Sequence, residues 1–144
     1  MRWMGLDVGS KRIGVALSDE LGITAQPLLV LTRHGGSRDL EALARLAREH
    51  AVTGVVAGLP LNMDGSEGET AARVRRFTER LAAHLGLPVR LWDERLTTWE
   101  AEGVLRQAGV RSRKQRQVID KLAAALILKG FLEAARADAV EGKA

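Results

Sequence analysis

Residues 3–17, Trp3-Met4-Gly5-Leu6-Asp7-Val8-Gly9-Ser10-Lys11-Arg12-Ile13-Gly14-Val15-Ala16-Leu17, hold two apolar runs joined by a link of hairpin length. Trp3 to Val8 reads as a buried strand and Ile13 to Leu17 as its partner. Gly9-Ser10-Lys11-Arg12 is too short for a crossover, so the pair is antiparallel. A third strand follows at Ile23 to Leu31, where Pro27 implies an edge position or a bulge. Three antiparallel strands therefore open the chain.

The apolar period then changes. Ser37 is placed to cap a helix whose stripe is Leu40, Leu43, Ala44, Leu46 and Ala47. Val52 to Ala57 is a short apolar strand that ends at Gly58-Leu59-Pro60. Ser66 and Glu69 have capping-box spacing ahead of a helix carrying Val74, Phe77, Leu81 and Leu85 and stopped by Gly86. Pro88 to Trp92 is the fifth strand. Thr97 with Glu100 opens a short helix ending near Gly109, and Ser112 with Gln115 opens the last one. The order β-β-β-α-β-α-β-α-α predicts an α/β fold with a mixed five-stranded sheet flanked by helices. Three antiparallel N-terminal strands come first, and parallel strands are added by crossovers. One domain over residues 1–144 accounts for the whole pattern, with an Ala- and charge-rich tail, 133–144, expected to fray.

Composition narrows the classes. The 144 residues are 46% hydrophobic, in the range of a globular domain able to bury a core. The absence of cysteine excludes disulfides, thiolate metal sites and cysteine nucleophiles. The longest apolar stretch, Leu122 to Leu128, is far short of the roughly 20 residues that cross a bilayer. Met1 to Asp7 already carries a strand pattern with an acid in it, unlike a signal peptide, so the expected location is cytoplasmic with no membrane partner. The net charge is a modest +4. Between Glu102 and Asp120, however, the chain has no acid, while Arg106, Arg111, Arg113, Lys114 and Arg116 are basic. That segment is either a solvated helix start or a surface for a polyanion.

Asp120 is the anomalous charge. Helical spacing puts it on one face with Ala123, Ala124, Ile127 and Phe131. An ionised, unpaired carboxylate there costs several kcal/mol, so it is protonated, hydrogen-bonded, salt-bridged or metal-bound. No single basic residue stands out in the sequence as its partner. Asp7 lies in the first strand on the face opposite Met4, Leu6 and Val8, flanked by Gly5 and Gly9, which permit close approach of a backbone or ligand. It either caps its own turn or lines a site. Asp93-Glu94 closes the fifth strand, where α/β sheets place their sites and where acids also favour a following helix. Adjacent acids point apart, so at most one of the two is a primary ligand. Three carboxylates together repel unless divalent cations neutralise them, and oxygen-only ligands favour Mg²⁺ or Mn²⁺ over Zn²⁺. His34, His50 and His84 follow no ligand spacing. Phosphate-loop, dinucleotide and nucleophile-elbow motifs are missing.

Four ordered blocks resemble one family. Gly5-Leu6-Asp7-Val8-Gly9-Ser10-Lys11-Arg12-Ile13-Gly14-Val15-Ala16 is similar to the opening hairpin of the YqgF family, also called RuvX. Gly58-Leu59-Pro60-Leu61-Asn62-Met63-Asp64-Gly65-Ser66-Glu67-Gly68, Asp93-Glu94-Arg95-Leu96-Thr97-Thr98 and Ile119 to Leu128 resemble its second, third and fourth blocks. These are Holliday junction resolvase-like proteins, also described as pre-16S rRNA nucleases. The resemblance implies a ribonuclease H-like fold and a cytoplasmic, metal-dependent nuclease. Its substrate is structured nucleic acid, either the 5′ end of pre-16S rRNA or a Holliday junction. It assigns acidic-site roles to Asp7, Glu94 and Asp120. Better-known resolvases of this fold carry their second acid after the fourth strand, where this chain has Gly58-Leu59-Pro60, so Glu94 must supply it from the fifth.

The mechanism expected from this pattern uses two Mg²⁺ or Mn²⁺ ions held by Asp7, Glu94 and Asp120. Lys11, Arg12 and Arg95 are expected to contact phosphates near the site, and Arg111, Arg113, Lys114 and Arg116 to hold the flanking strand. A homodimer suits a two-fold junction, and a monomer suffices for RNA. One alternative is a non-catalytic RNA-binding factor in ribosome assembly or transcription. The phosphate hairpin of the actin and sugar-kinase fold is another fold-level analogy, but that fold needs two such subdomains and a far longer chain.

Overall fold

A computed structural model of the chain describes residues 1–96 and 113–141, and the opening segment forms the expected hairpin. β1 (Trp3–Val8) and β2 (Arg12–Ser18) pair antiparallel, with Asp7 opposite Gly14, and β3 (Ala25–Thr32) pairs antiparallel on the far side of β2. The β2–β3 register shifts between Val15 and Ala16, where Ala16 faces Pro27. Proline thus sits on an edge strand and beside a bulge, the two places that tolerate its missing N–H. β4 (Gly54–Leu59) joins β1 in parallel and β5 (Val89–Asp93) joins β4 in parallel, giving the sheet order β3-β2-β1-β4-β5.

Helices cover both faces. α1 (Gly36–Glu49) and α2 (Glu69–Leu85) lie on one side, where Leu40, Leu43, Phe77 and Leu81 pack with Met4, Leu6, Ile13, Val15 and Val55. α3 (Arg113–Glu141) crosses the other side, placing Ala124, Ile127 and Leu128 on Ala16 and Val56. Phe131 of α3 lies between Trp3 and Trp92, with ring centroids 4.8 and 6.5 Å away. No described helix is long and apolar enough to cross a membrane.

Two caps differ from the sequence expectation. Ser37 lies inside α1 rather than capping it, and Gly35 holds the cap position without a side-chain bond. The buried Asp39 carboxylate takes over, accepting from the backbone N–H of His34 at 2.9 Å and of Gly35 at 3.2 Å. Ser66 likewise does not cap α2. It bonds Asp64 and Asn62 inside the preceding loop, and Gly68 occupies the cap. Gly86 ends α2 as expected, in the left-handed conformation at φ 66° with its N–H on Ala82 O. α3 is helical as far as Glu141, and its alanines favour that conformation. Thr97, Glu100, Gly109, Arg111 and Ser112 lie outside the described residues.

Candidate active site

The strand pleat turns Met4 and Leu6 toward α1 and α2, and so turns Gly5 and Asp7 toward α3. Two glycines let that helix close down on the sheet. A Cβ on Gly5 would lie 2.7 Å from the Cβ of Leu128, and one on Gly14 would collide with the backbone oxygen of Asp120. Asp120 is therefore brought over β2 beside the residue that pairs with Asp7.

Glu94 arrives from the other direction. It begins a single 3₁₀ turn, Glu94–Leu96, directly after β5. Its side chain occupies the space left by Gly58 at the end of β4. A Cβ there would stand 2.6 Å from both Cγ and Oε1 of Glu94. Gly58, with no side chain of its own, thus leaves the end of β4 to Glu94 from the next strand.

Glu94 and Asp7 are hydrogen-bonded carboxyl to carboxyl, so the pair shares a proton. Burial, then the charge of Asp7, the hydrogen bond to it and the charge of Asp93 push Glu94 up to about 8. Asp7 is raised as well, by burial foremost. The hydrogen bond from Glu94 opposes that shift and the charge of Asp120 adds to it. Both carboxyls are raised, so the pair favours holding a proton while no cation neutralises it.

Asp120 faces the same space but is engaged differently. Arg12 donates its Nε–H to Asp120 Oδ2 at 2.6 Å, in a pair that is about three-quarters buried. Arg12, expected to contact phosphate, is in this structure also the basic partner of Asp120 that the sequence did not reveal. Of the resolutions open to the Asp120 charge, a salt bridge is present, to Arg12. A hollow of about 190 Å³ opens between Asp7 and Asp120, rimmed by Gly9, Ser10, Lys11 and Arg12. Among the described residues no three His, Asp or Glu side chains are close enough to grip one ion. The donors that are present, Asp7 with Glu94 beside it and Asp120 across the hollow, are all carboxylate oxygens, which suits Mg²⁺ or Mn²⁺. A cation can relieve the Asp7–Glu94 repulsion that a proton relieves here.

The remaining basic residues divide. Lys11 is exposed on the rim, and its ammonium makes no hydrogen bond or ion pair among the described residues. Arg95 is not turned to the hollow. It grips Asp93 through Nη2–Oδ2 at 2.7 Å and donates Nη1 to Met63 O at 3.2 Å, tying the end of β5 to the loop before α2. Asp93, held low chiefly by that Arg95 bond, is structural, and Glu94 alone of the two acids turns inward. Lys114 and Arg116 are exposed on the first turn of α3. Arg113 begins that helix, and its side chain, like Arg111, lies outside the described residues.

One contributor carries no sequence signal of its own. Arg33 donates Nε to Asp39 Oδ2 at 3.1 Å and Nη1 to Gly9 O at 3.0 Å, bracing the turn that presents the hollow. Burial of Asp39 works against its charge, yet bonds from His34 N, Arg33 and Gly35 N hold the carboxyl below its usual value. An acid inside the first turn of an apolar helix is the faint sign that such a partner exists.

The sequence model of the family described as "RuvX: Holliday junction resolvase" matches residues 1–134. A "Putative pre-16S rRNA nuclease" of Symbiobacterium thermophilum is 55% identical over 134 residues, 93% of each chain. One of the same name from Myxococcus xanthus is 54% identical over 136 residues, 94% of this chain and 90% of its own. Among solved structures, "T. thermophilus RuvC in complex with Holliday junction substrate" superposes with a TM-score of 0.58 at 14% identity, covering 94% of this chain and 96% of that one. That likeness is one of fold, and the mixed sheet with its antiparallel β3-β2-β1 and parallel β4 and β5 is ribonuclease H-like.

Proposed function

The chain belongs to the RuvX family, and from that premise we propose that it is a metal-dependent nuclease that hydrolyses phosphodiester bonds in structured nucleic acid. The observation that carries this reading is the half-buried Asp7–Glu94 pair, two acids in contact with Asp7 at the edge of a hollow rimmed by Lys11 and Arg12. Two acids are rarely held in contact, partly out of solvent, without a task, because their repulsion and desolvation destabilise the fold. The names of relatives more than half identical favour pre-16S rRNA as the substrate. Resolution of a Holliday junction is the second candidate, and it needs a homodimer to present two sites, whereas RNA needs only a monomer. Both substrates place the activity in the cytoplasm.

In this mechanism Asp7 and Glu94 would hold Mg²⁺ or Mn²⁺, with Asp120 the further carboxylate across the hollow. Such cations would supply an activated water and charge stabilisation for the leaving oxygen. Lys11 offers its ammonium to the phosphate as it enters. Arg12, released from Asp120, is free to meet the same phosphate. Lys114 and Arg116, and in sequence Arg111 and Arg113, extend a cationic surface for the flanking strand.

The Arg12–Asp120 ion pair favours one other reading, a non-catalytic RNA-binding factor in which Asp120 never meets a cation. Incubating a pre-16S RNA fragment and a four-way DNA junction with Mn²⁺, Mg²⁺ or EDTA tests the choice. The nuclease reading expects cleavage of at least one substrate, abolished by EDTA. Binding without cleavage in either metal supports the non-catalytic factor.

A further inference from the structure

A second and larger hollow, of about 470 Å³, lies on the α1 and α2 side of the β1–β2 turn. It is walled by the turn, by the β3–α1 link and by the first turns of α2. Gly9 and Ser10 line both this hollow and the acidic one, so the two meet at the turn. No carboxylate is among its described lining. Arg33 in its wall is already matched by Asp39. The exposed Arg73 guanidinium, by contrast, makes no hydrogen bond or ion pair among the described residues, and neither do the Ser10 and Thr70 hydroxyls beside it.

An uncompensated guanidinium and two unused hydroxyls around one open space make a donor-rich set. It is satisfied by an anion with several acceptor oxygens. The volume exceeds what a lone ion needs and falls within the roughly 300–1,000 Å³ typical of small-molecule sites. We propose that this hollow binds a nucleotide of the substrate strand through its backbone phosphate. The neighbouring phosphate then lies at Asp7 and Glu94, and Arg73 and Thr70 act as positioning residues that set the strand's register on the acids. The inference rests on the nuclease reading and adds to it a subsite on the far side of the turn.

Fluorescence anisotropy in EDTA, over a salt series, tests it without any cleavage. The ligands are the RNA fragment and the DNA junction. The proteins are wild type, Arg73→Ala, Arg73→Glu, Thr70→Ala and, as a charge control, Arg45→Glu, an exposed α1 residue that lines neither hollow. Arg73→Glu is expected to weaken binding roughly tenfold, and Arg73→Ala to reduce the salt slope by about one. Arg45→Glu should stay within about twofold of wild type. Arg73 variants that match the Arg45 control in affinity and slope overturn the inference. So does a nucleoside monophosphate that binds wild type and not Arg73→Glu while strand affinity is unchanged, since the hollow then takes a free nucleotide. Binding that depends on Arg73 with no cleavage in Mn²⁺ retains the subsite and sinks the nuclease reading. Wild type that binds neither nucleic acid sinks both.

Discussion

Arg12 donates its Nε–H to Asp120 Oδ2 at 2.6 Å, closing the second strand onto the last helix. That contact neutralises the acid that an apolar helix face could not otherwise carry. It also makes a guanidinium the competitor of any cation at Asp120. Arg12→Gln should therefore tighten Mn²⁺ binding by roughly three- to tenfold in a calorimetric titration, while lowering unfolding stability by about 1 kcal/mol. Lys11→Gln changes the same charge beside the same hollow and controls for it. An Arg12→Gln affinity equal to that of Lys11→Gln would mean that the ion pair does not gate the site.

Gly58 is required by what stands in its place. A methyl group there would overlap Glu94 and Ile127 Cδ1, both 2.6 Å from the added carbon. Gly58→Ala should displace the Glu94 carboxylate and cost about 1–3 kcal/mol of stability through overpacking. Cleavage should fall at least tenfold although no functional group is removed. Activity within twofold of wild type would show that Glu94 is not held where the chemistry needs it.

Much of the architecture is legible in the chain because short links leave few choices. The four residues between Val8 and Ile13 force a hairpin, and Pro27 announces the edge strand where it is found. Caps are harder to read. Asp39 replaces Ser37 because a buried carboxylate can gather two backbone N–H groups and Arg33 at once, and periodicity alone does not reveal such convergence. The acids at 7, 94 and 120 can be picked out by type and position, but their spacing leaves their partners open. That Arg12 meets Asp120 depends on the height of α3 above β2, which the missing side chain of Gly14 sets. The role of Gly58 is invisible in sequence for the same reason, since its contribution is an absence.

Protonation gives a prediction with a definite sign. The carboxyl of Glu94 is raised from its ordinary 4.5 to about 8 in the fold, by burial first and then by Asp7. A raised acid binds its proton more tightly when folded, so its stabilising contribution is complete below the unfolded value and disappears as pH climbs through the folded one. The cation-free protein should therefore melt at progressively lower temperature between about pH 5 and pH 8, and Glu94→Gln should flatten that slope. Saturating Mg²⁺ should raise the melting temperature more at the upper end of this window, where no proton must be displaced. A Glu94→Gln protein that keeps the wild-type pH dependence would place the shared proton elsewhere.

The central claim is that Asp7 holds the cation that performs hydrolysis. Its most direct test is the single-turnover rate of Asp7→Asn against wild type, at saturating Mn²⁺, on whichever of the two nucleic acids the wild type cleaves. The substitution keeps the size of the side chain and removes its charge. A loss of at least a hundredfold, about 2.7 kcal/mol of barrier, with strand affinity in EDTA unchanged, is the predicted result. A rate within about threefold of wild type, under roughly 1 kcal/mol, would contradict the claim.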